Sequence, residues 1–106
     1  MTDLEMTALC AEAMGFRIVY PDQADLPLCI ESSRGAGMYN PLHDDAQAMA
    51  LVKRFWLKIG YGHRIKDGEM GPEEWRVSVN FGGPYIWGPD LNRAIVECVA
   101  NLKGRP

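Results

Sequence analysis

Three stretches with apolar residues at helical spacing stand at the start, the middle and the end of this 106-residue chain. The segments between them alternate with a period of two. That arrangement constrains the fold more than any other feature. Each helical stripe must be buried, and strands interleaved as neighbours along the chain are most simply paired as hairpins under the helices. The first stripe is Met6, Leu9, Cys10 and Ala13. It follows Thr2-x-x-Glu5, a capping-box pattern that would satisfy free amides at the helix start. Gly15 follows as a stop, because glycine takes the left-handed conformation at little cost. The second stripe is Ala48, Leu51, Val52 and Phe55. Pro41 keeps Asn40 out of helical geometry. Asp44 and Asp45 suit the positive end of the helix dipole, and Lys53 and Arg54 the negative end. The third is Leu91, Ala94, Ile95, Cys98, Val99 and Leu102, with Pro89 expected as first helical residue and Gly104 closing.

Between the helices, Phe16 to Tyr20 and Leu28 to Ser32 read as two strands, followed by a flexible loop at Ser33-Arg34-Gly35-Ala36-Gly37. Leu57 to Ile65 reads as a strand weakened by Gly60 and Gly62, with Lys66-Asp67-Gly68 able to turn it back. Glu69 to Glu74 reads as loop. Trp75, Val77, Val79 and Phe81 alternate with Arg76, Ser78 and Asn80, so that strand should have one buried and one wet face before Gly82-Gly83-Pro84 ends it. The expected order is α-β-β-α-β-β-α. It describes one α+β domain over residues 1–106, with a four-stranded, mainly antiparallel sheet packed by helices. Trp56 and Trp75 are expected in the core.

Composition narrows the function classes. Apolar residues make up 47% and charged residues 24%, and the formal charge is −3. This is the composition of a soluble globular domain, and it offers no broad basic field for a phosphate backbone, so direct nucleic-acid binding is not expected. No apolar run approaches the roughly 18 to 20 residues of a membrane span. The acidic start Met1 to Glu5 lacks the basic residues of a secretory signal. Cys10, Cys29 and Cys98 are odd in number and contain no C-x-x-C pair, which points to free, mostly buried thiols and a cytoplasmic setting.

Chemistry-bearing patterns are sparse. His43 and His63 have no metal-ligand spacing, no serine lies in a nucleophile elbow, and the glycine pairs at 35/37, 60/62 and 82/83 complete no phosphate-binding loop. We therefore expect no catalytic residues, no metal and no cofactor, and a binding protein rather than an enzyme. One set of residues has the makings of a nucleotide pocket: His63, Arg64, Tyr61, Tyr85, Trp87 and Arg34, combining cations with aromatic faces. An alternative set is acidic: Asp44, Asp45, Glu73 and Glu74 could present a partner-binding surface to a protein.

The run Tyr39-Asn40-Pro41-Leu42-His43-Asp44-Asp45-Ala46 leads into a helix. With Trp75-Arg76-Val77 and Asn92-Arg93-Ala94-Ile95-Val96, it resembles the small phage and prophage proteins of the phage ABA sandwich domain group and, more loosely, NinX-like phage proteins. The resemblance implies an α-β-α layered domain working in the host bacterial cytoplasm, and brings no assigned activity or catalytic residues. Small accessory phage proteins are often counter-defence inhibitors, an association rather than a derivation. Two mechanisms fit that setting: a homo-oligomer that sequesters a nucleotide immune signal, and an anti-CRISPR-like inhibitor that binds a host defence protein through its acidic residues. A phage accessory regulatory or assembly role is a third.

Overall fold

The computed structural model describes residues 1–79 and 85–104. They form three helices and six strands: α1 (Asp3–Ala13), β1 (Arg17–Ile18), β2 (Leu28–Ser32), β3 (Gly35–Tyr39), α2 (Asp45–Phe55), β4 (Leu57–Lys66), β5 (Glu69–Val79), β6 (Ile86–Gly88) and α3 (Leu91–Gly104). The fold is α+β. The expected single four-stranded sheet is replaced by two antiparallel three-stranded sheets, ordered β1-β2-β3 and β4-β5-β6. The order of elements is therefore α-β-β-β-α-β-β-β-α, with one more strand in each half than expected.

The helices begin and end largely where local chemistry dictates. The Thr2 hydroxyl accepts the Glu5 amide at 3.1 Å and donates to the Glu5 carboxylate, also at 3.1 Å. Past α1, Gly15 has φ +80°. The Phe16 amide reaches the Ala11 carbonyl and the Gly15 amide reaches that of Glu12, which together close the helix as a Schellman motif. Asp44 caps α2 by accepting the Gln47 amide at 3.0 Å. At the start of α3 the capping residue is Asp90, which accepts the Asn92 and Arg93 amides. Pro89 consequently stands outside the helix rather than at its first position.

Two segments read as loop are strands. Gly35–Tyr39 pairs with β2 along its whole length, from Ser32 opposite Gly35 to Leu28 opposite Tyr39. Its glycines hide the pattern, because a strand is stabilised by its neighbour more than by its own propensity. Glu69 to Glu74 extends β5 because Asp67 and Gly68, at φ +55° and +79°, form the tight turn that a hairpin needs. The ladder runs from Lys66 opposite Glu69 down to Leu57 opposite Val79, with a bulge between His63 and Ile65. The first strand is conversely shorter than expected. Beyond Val19 the Gln23 side chain, not a strand, accepts the Cys29 amide. The expected strand residues Asn80 and Phe81, and the stop at Gly82-Gly83-Pro84, lie outside the described residues.

Helix α3 organises the core by packing on α1, α2, β5 and β6. Ile95, Val96, Val99 and Ala100 are fully buried there beside Leu51 and Val77. Trp56 is a correction to the expected core. It caps α2 in the left-handed conformation, φ 55°, and its side chain is 74% exposed. Trp75 is half-buried, against Tyr61.

Cys10 and Cys98 are buried, and Cys29 is half-buried. Burial, with Cys98 nearby, pushes the Cys10 thiol from its ordinary 9.0 up to about 12, and burial also raises Cys98. The unfolded chain therefore loses these protons before the folded one does. Their contribution to stability is whole below about pH 9 and is lost as pH rises toward 12. Unfolding free energy is thus expected to fall over that window in denaturant titrations, with a shallower slope in Cys10→Ala. An equal slope in that variant would show that the thiol does not titrate with folding.

Candidate functional site

The site is a face of the β4-β5-β6 sheet. Register places Arg76 opposite Gly60 on one side and opposite Trp87 on the other. Side chains alternate between faces along a strand, so Lys58, Arg64, Arg76, Tyr85 and Trp87 share one side. The opposite side carries Val77 and Leu57 into the core.

On the wet side the cations and rings make a continuous run. The Arg64 guanidinium lies 5.8 Å from the Trp87 ring centre, and the Arg76 guanidinium 5.4 Å from that of Tyr85. The two rings meet edge to face at 6.3 Å. Glu74 is 3.8 Å from Arg64 and holds that side chain along the sheet while half of it stays exposed. Lys58, Ile59, Gly60, Arg76 and Tyr85 line a small cleft of about 70 Å³. A cation over an aromatic face is attracted by the ring quadrupole, so each ring helps to hold its arginine outward-facing and preorganised.

Gly60 makes this arrangement possible. A Cβ there would overlap the Arg76 Nε, so only a glycine lets the Arg76 chain lie across the neighbouring strand. Gly60→Ala is expected to displace Arg76 and abolish the ring-current shift of its protons by Tyr85 in NMR spectra. The thermal midpoint should move by less than about 5 °C, because the colliding group is the flexible end of an exposed side chain. An unchanged Arg76 environment would show that the glycine is incidental.

The residues expected to bind a ligand divide into three places. Arg64, Tyr85 and Trp87 come together on the wet face. Tyr61 and His63 are on the opposite face of the same hairpin. There Tyr61 packs on Trp75 with ring centres 4.7 Å apart, and His63 contacts the Gly71 carbonyl at 2.7 Å and the Glu73 carboxylate at 3.4 Å. Arg34 lies in the β2–β3 turn of the other sheet. The sequence set omitted Arg76 and Lys58, although the alternation around Trp75 and Val77 already turned Arg76 outward.

The acidic set is scattered. Asp44 is engaged as the α2 cap, Asp45 accepts from Asn92 at 2.8 Å, Glu73 faces His63, and Glu74 supports Arg64. Among the described residues no cluster of three His, Cys, Asp or Glu side chains is placed to hold a metal, and no helix is long and apolar enough to cross a membrane. Among the described residues the other concavities gather no pair of cations with aromatic rings: one of about 430 Å³ is lined by residues including Tyr20, Asp22 and Gln23. Another, of about 270 Å³, is lined by residues including Phe16, Ile30, Tyr39 and Ala50, without a cation. No family model, no curated protein and no solved structure matches this chain.

Proposed function

We propose that the wet face of the β4-β5-β6 sheet binds a nucleotide and holds it without cleaving it. The observation that carries this reading is the run Arg64–Trp87–Tyr85–Arg76, in which two guanidinium groups flank two aromatic rings. A guanidinium offers a planar fork of donors that matches a phosphate bidentately. Aromatic faces stack on bases of any sequence, at about 1–3 kcal/mol per base. Sequestration asks for those groups alone. In the phage setting that the sequence resemblance implies, the ligand would be a nucleotide immune signal in the host cytoplasm, and the protein a counter-defence inhibitor.

The alternative, an acidic surface that captures a host defence protein, asks for neighbouring carboxylates with free oxygens. The local engagement of Asp44, Asp45, Glu73 and Glu74 favours the nucleotide reading over it.

The test is thermal unfolding of the purified protein against a panel of cyclic and linear nucleotides, with recovery of the ligand afterwards. Binding to the folded state alone adds about 2.7 kcal/mol at a hundredfold excess over Kd, a shift on the order of 10 °C for a domain of this size. A selective shift with the nucleotide recovered intact supports sequestration. A hydrolysed nucleotide would make the protein an enzyme, and no shift across the panel would defeat the reading.

A further inference from the structure

The outer edge of β4 is unpaired among the described residues. The order β4-β5-β6 leaves it at the margin of its sheet. It is ten residues long, and an edge of that length offers a row of backbone donors and acceptors. Its side chains segregate by face. Lys58, Gly60, Gly62, Arg64 and Lys66 point to one side, and Leu57, Ile59, Tyr61, His63 and Ile65 to the other. Beyond Leu57 the second row is largely uncovered, with Tyr61 56% and Ile65 70% exposed.

We propose that this edge is a strand-addition site for an extended acidic segment of another protein, in which carboxylates alternate with apolar residues. Charge complementarity selects that occupant. β4 carries three cations and no carboxylate. The strand it already accepts, β5, sets Glu69 opposite Lys66 and brings Glu74 to Arg64. An added strand with acidic residues on the cationic side would repeat that match, and its apolar residues would cover Tyr61 and Ile65.

A second copy of the chain fits poorly. Antiparallel self-pairing about Tyr61 sets Lys58 opposite Arg64, and pairing about Gly62 sets Lys58 opposite Lys66. Like charges directly opposite one another destabilise a strand pair, and lysine on an edge is a common guard against self-association.

The probe is a fluorescein-labelled ten-residue peptide of alternating Glu and Val, compared at low salt with an alternating Lys and Val peptide. The Glu–Val peptide is expected to bind at least tenfold more tightly and to slow hydrogen exchange at β4 amides. Lys58→Glu combined with Lys66→Glu should lose at least tenfold in affinity with an unchanged thermal midpoint, since both side chains are exposed. Equal binding of the two peptides would overturn the proposal. So would protection at β3 or β6 instead of β4, or β4 protection that needs no peptide and grows with protein concentration, which would make the occupant a second copy. The proposal does not rest on the nucleotide reading, although Arg64 and Lys58 belong to both surfaces. Lys66 lies outside the Arg64–Trp87–Tyr85–Arg76 run, so Lys66→Glu alone should weaken the peptide and leave any nucleotide-induced stabilisation in place.

Discussion

Truncating Ile95 to alanine is expected to destabilise the protein by about 2–5 kcal/mol, the range for removing a fully buried branched side chain that leaves a cavity. Ile95 is 0% exposed and lies on α3, which packs on two helices and two strands. The thermal midpoint should fall on the order of 10 to 30 °C. Since a domain of this kind holds only about 5–15 kcal/mol in total, a visible unfolded fraction near body temperature is expected. Leu102→Ala on the same helix is the control. Leu102 is 44% exposed, and its loss should cost less than about 1.5 kcal/mol. Denaturant unfolding of both variants measures the difference. Comparable losses would mean that α3 is not the hub of the core.

Replacing Arg64 and Arg76 together by alanine is expected to remove nucleotide-induced stabilisation altogether, while the thermal midpoint without nucleotide stays within a few degrees. Both guanidinium groups lie over rings on the wet face, so the fold does not depend on them. A charge-assisted contact to phosphate contributes about 1.5–3 kcal/mol, and losing two such contacts should weaken binding by at least a hundredfold. Titration calorimetry with a nucleotide that stabilises the parent protein reads this directly. Lysine at both positions should restore only part of the affinity, because an ammonium supplies the charge without the planar fork. Undiminished binding in the alanine pair would place the nucleotide elsewhere. Charge reversal at Asp45 and Glu73, which lie away from the Arg64–Arg76 run, tests the competing surface and should leave nucleotide-induced stabilisation intact.

Helix positions were legible because their signals are short-range. The Thr2 cap, the Gly15 stop and most of the apolar stripes act within one or two turns of the chain. Asp44, by contrast, reads in the sequence only as a charge favouring the helix dipole and turned out to be the α2 cap, and Leu102 of the third stripe is exposed. The Gly15 stop could be read from one residue and its neighbours. The wet and dry alternation around Val77 was equally local, and it placed Val77 in the core and Arg76 in water. It also put Ser78 on the wet face, where packing between distant segments buries it. The missed strands show the opposite case. Gly35–Tyr39 and Glu69–Glu74 carry glycine, proline and acidic residues that read as loop, and they are strands because β2 and β4 lie alongside to supply the hydrogen bonds.

The candidate site followed the same division. That a cation–aromatic surface would form near Arg64, Tyr85 and Trp87 could be read from residue types. Its membership could not, since Tyr61 and Arg64 are three residues apart and face opposite ways, while Arg64 and Trp87 meet from strands distant in the chain. By itself the sequence determined three helices, the first with its cap, an α+β class and free thiols, because propensity and burial periodicity are written within a few residues. Only the tertiary structure decided that there are two sheets rather than one, that Trp56 points outward, and that Arg76 joins the site across Gly60. Those outcomes depend on which strand lies beside which, and that is set by packing between segments far apart in the chain.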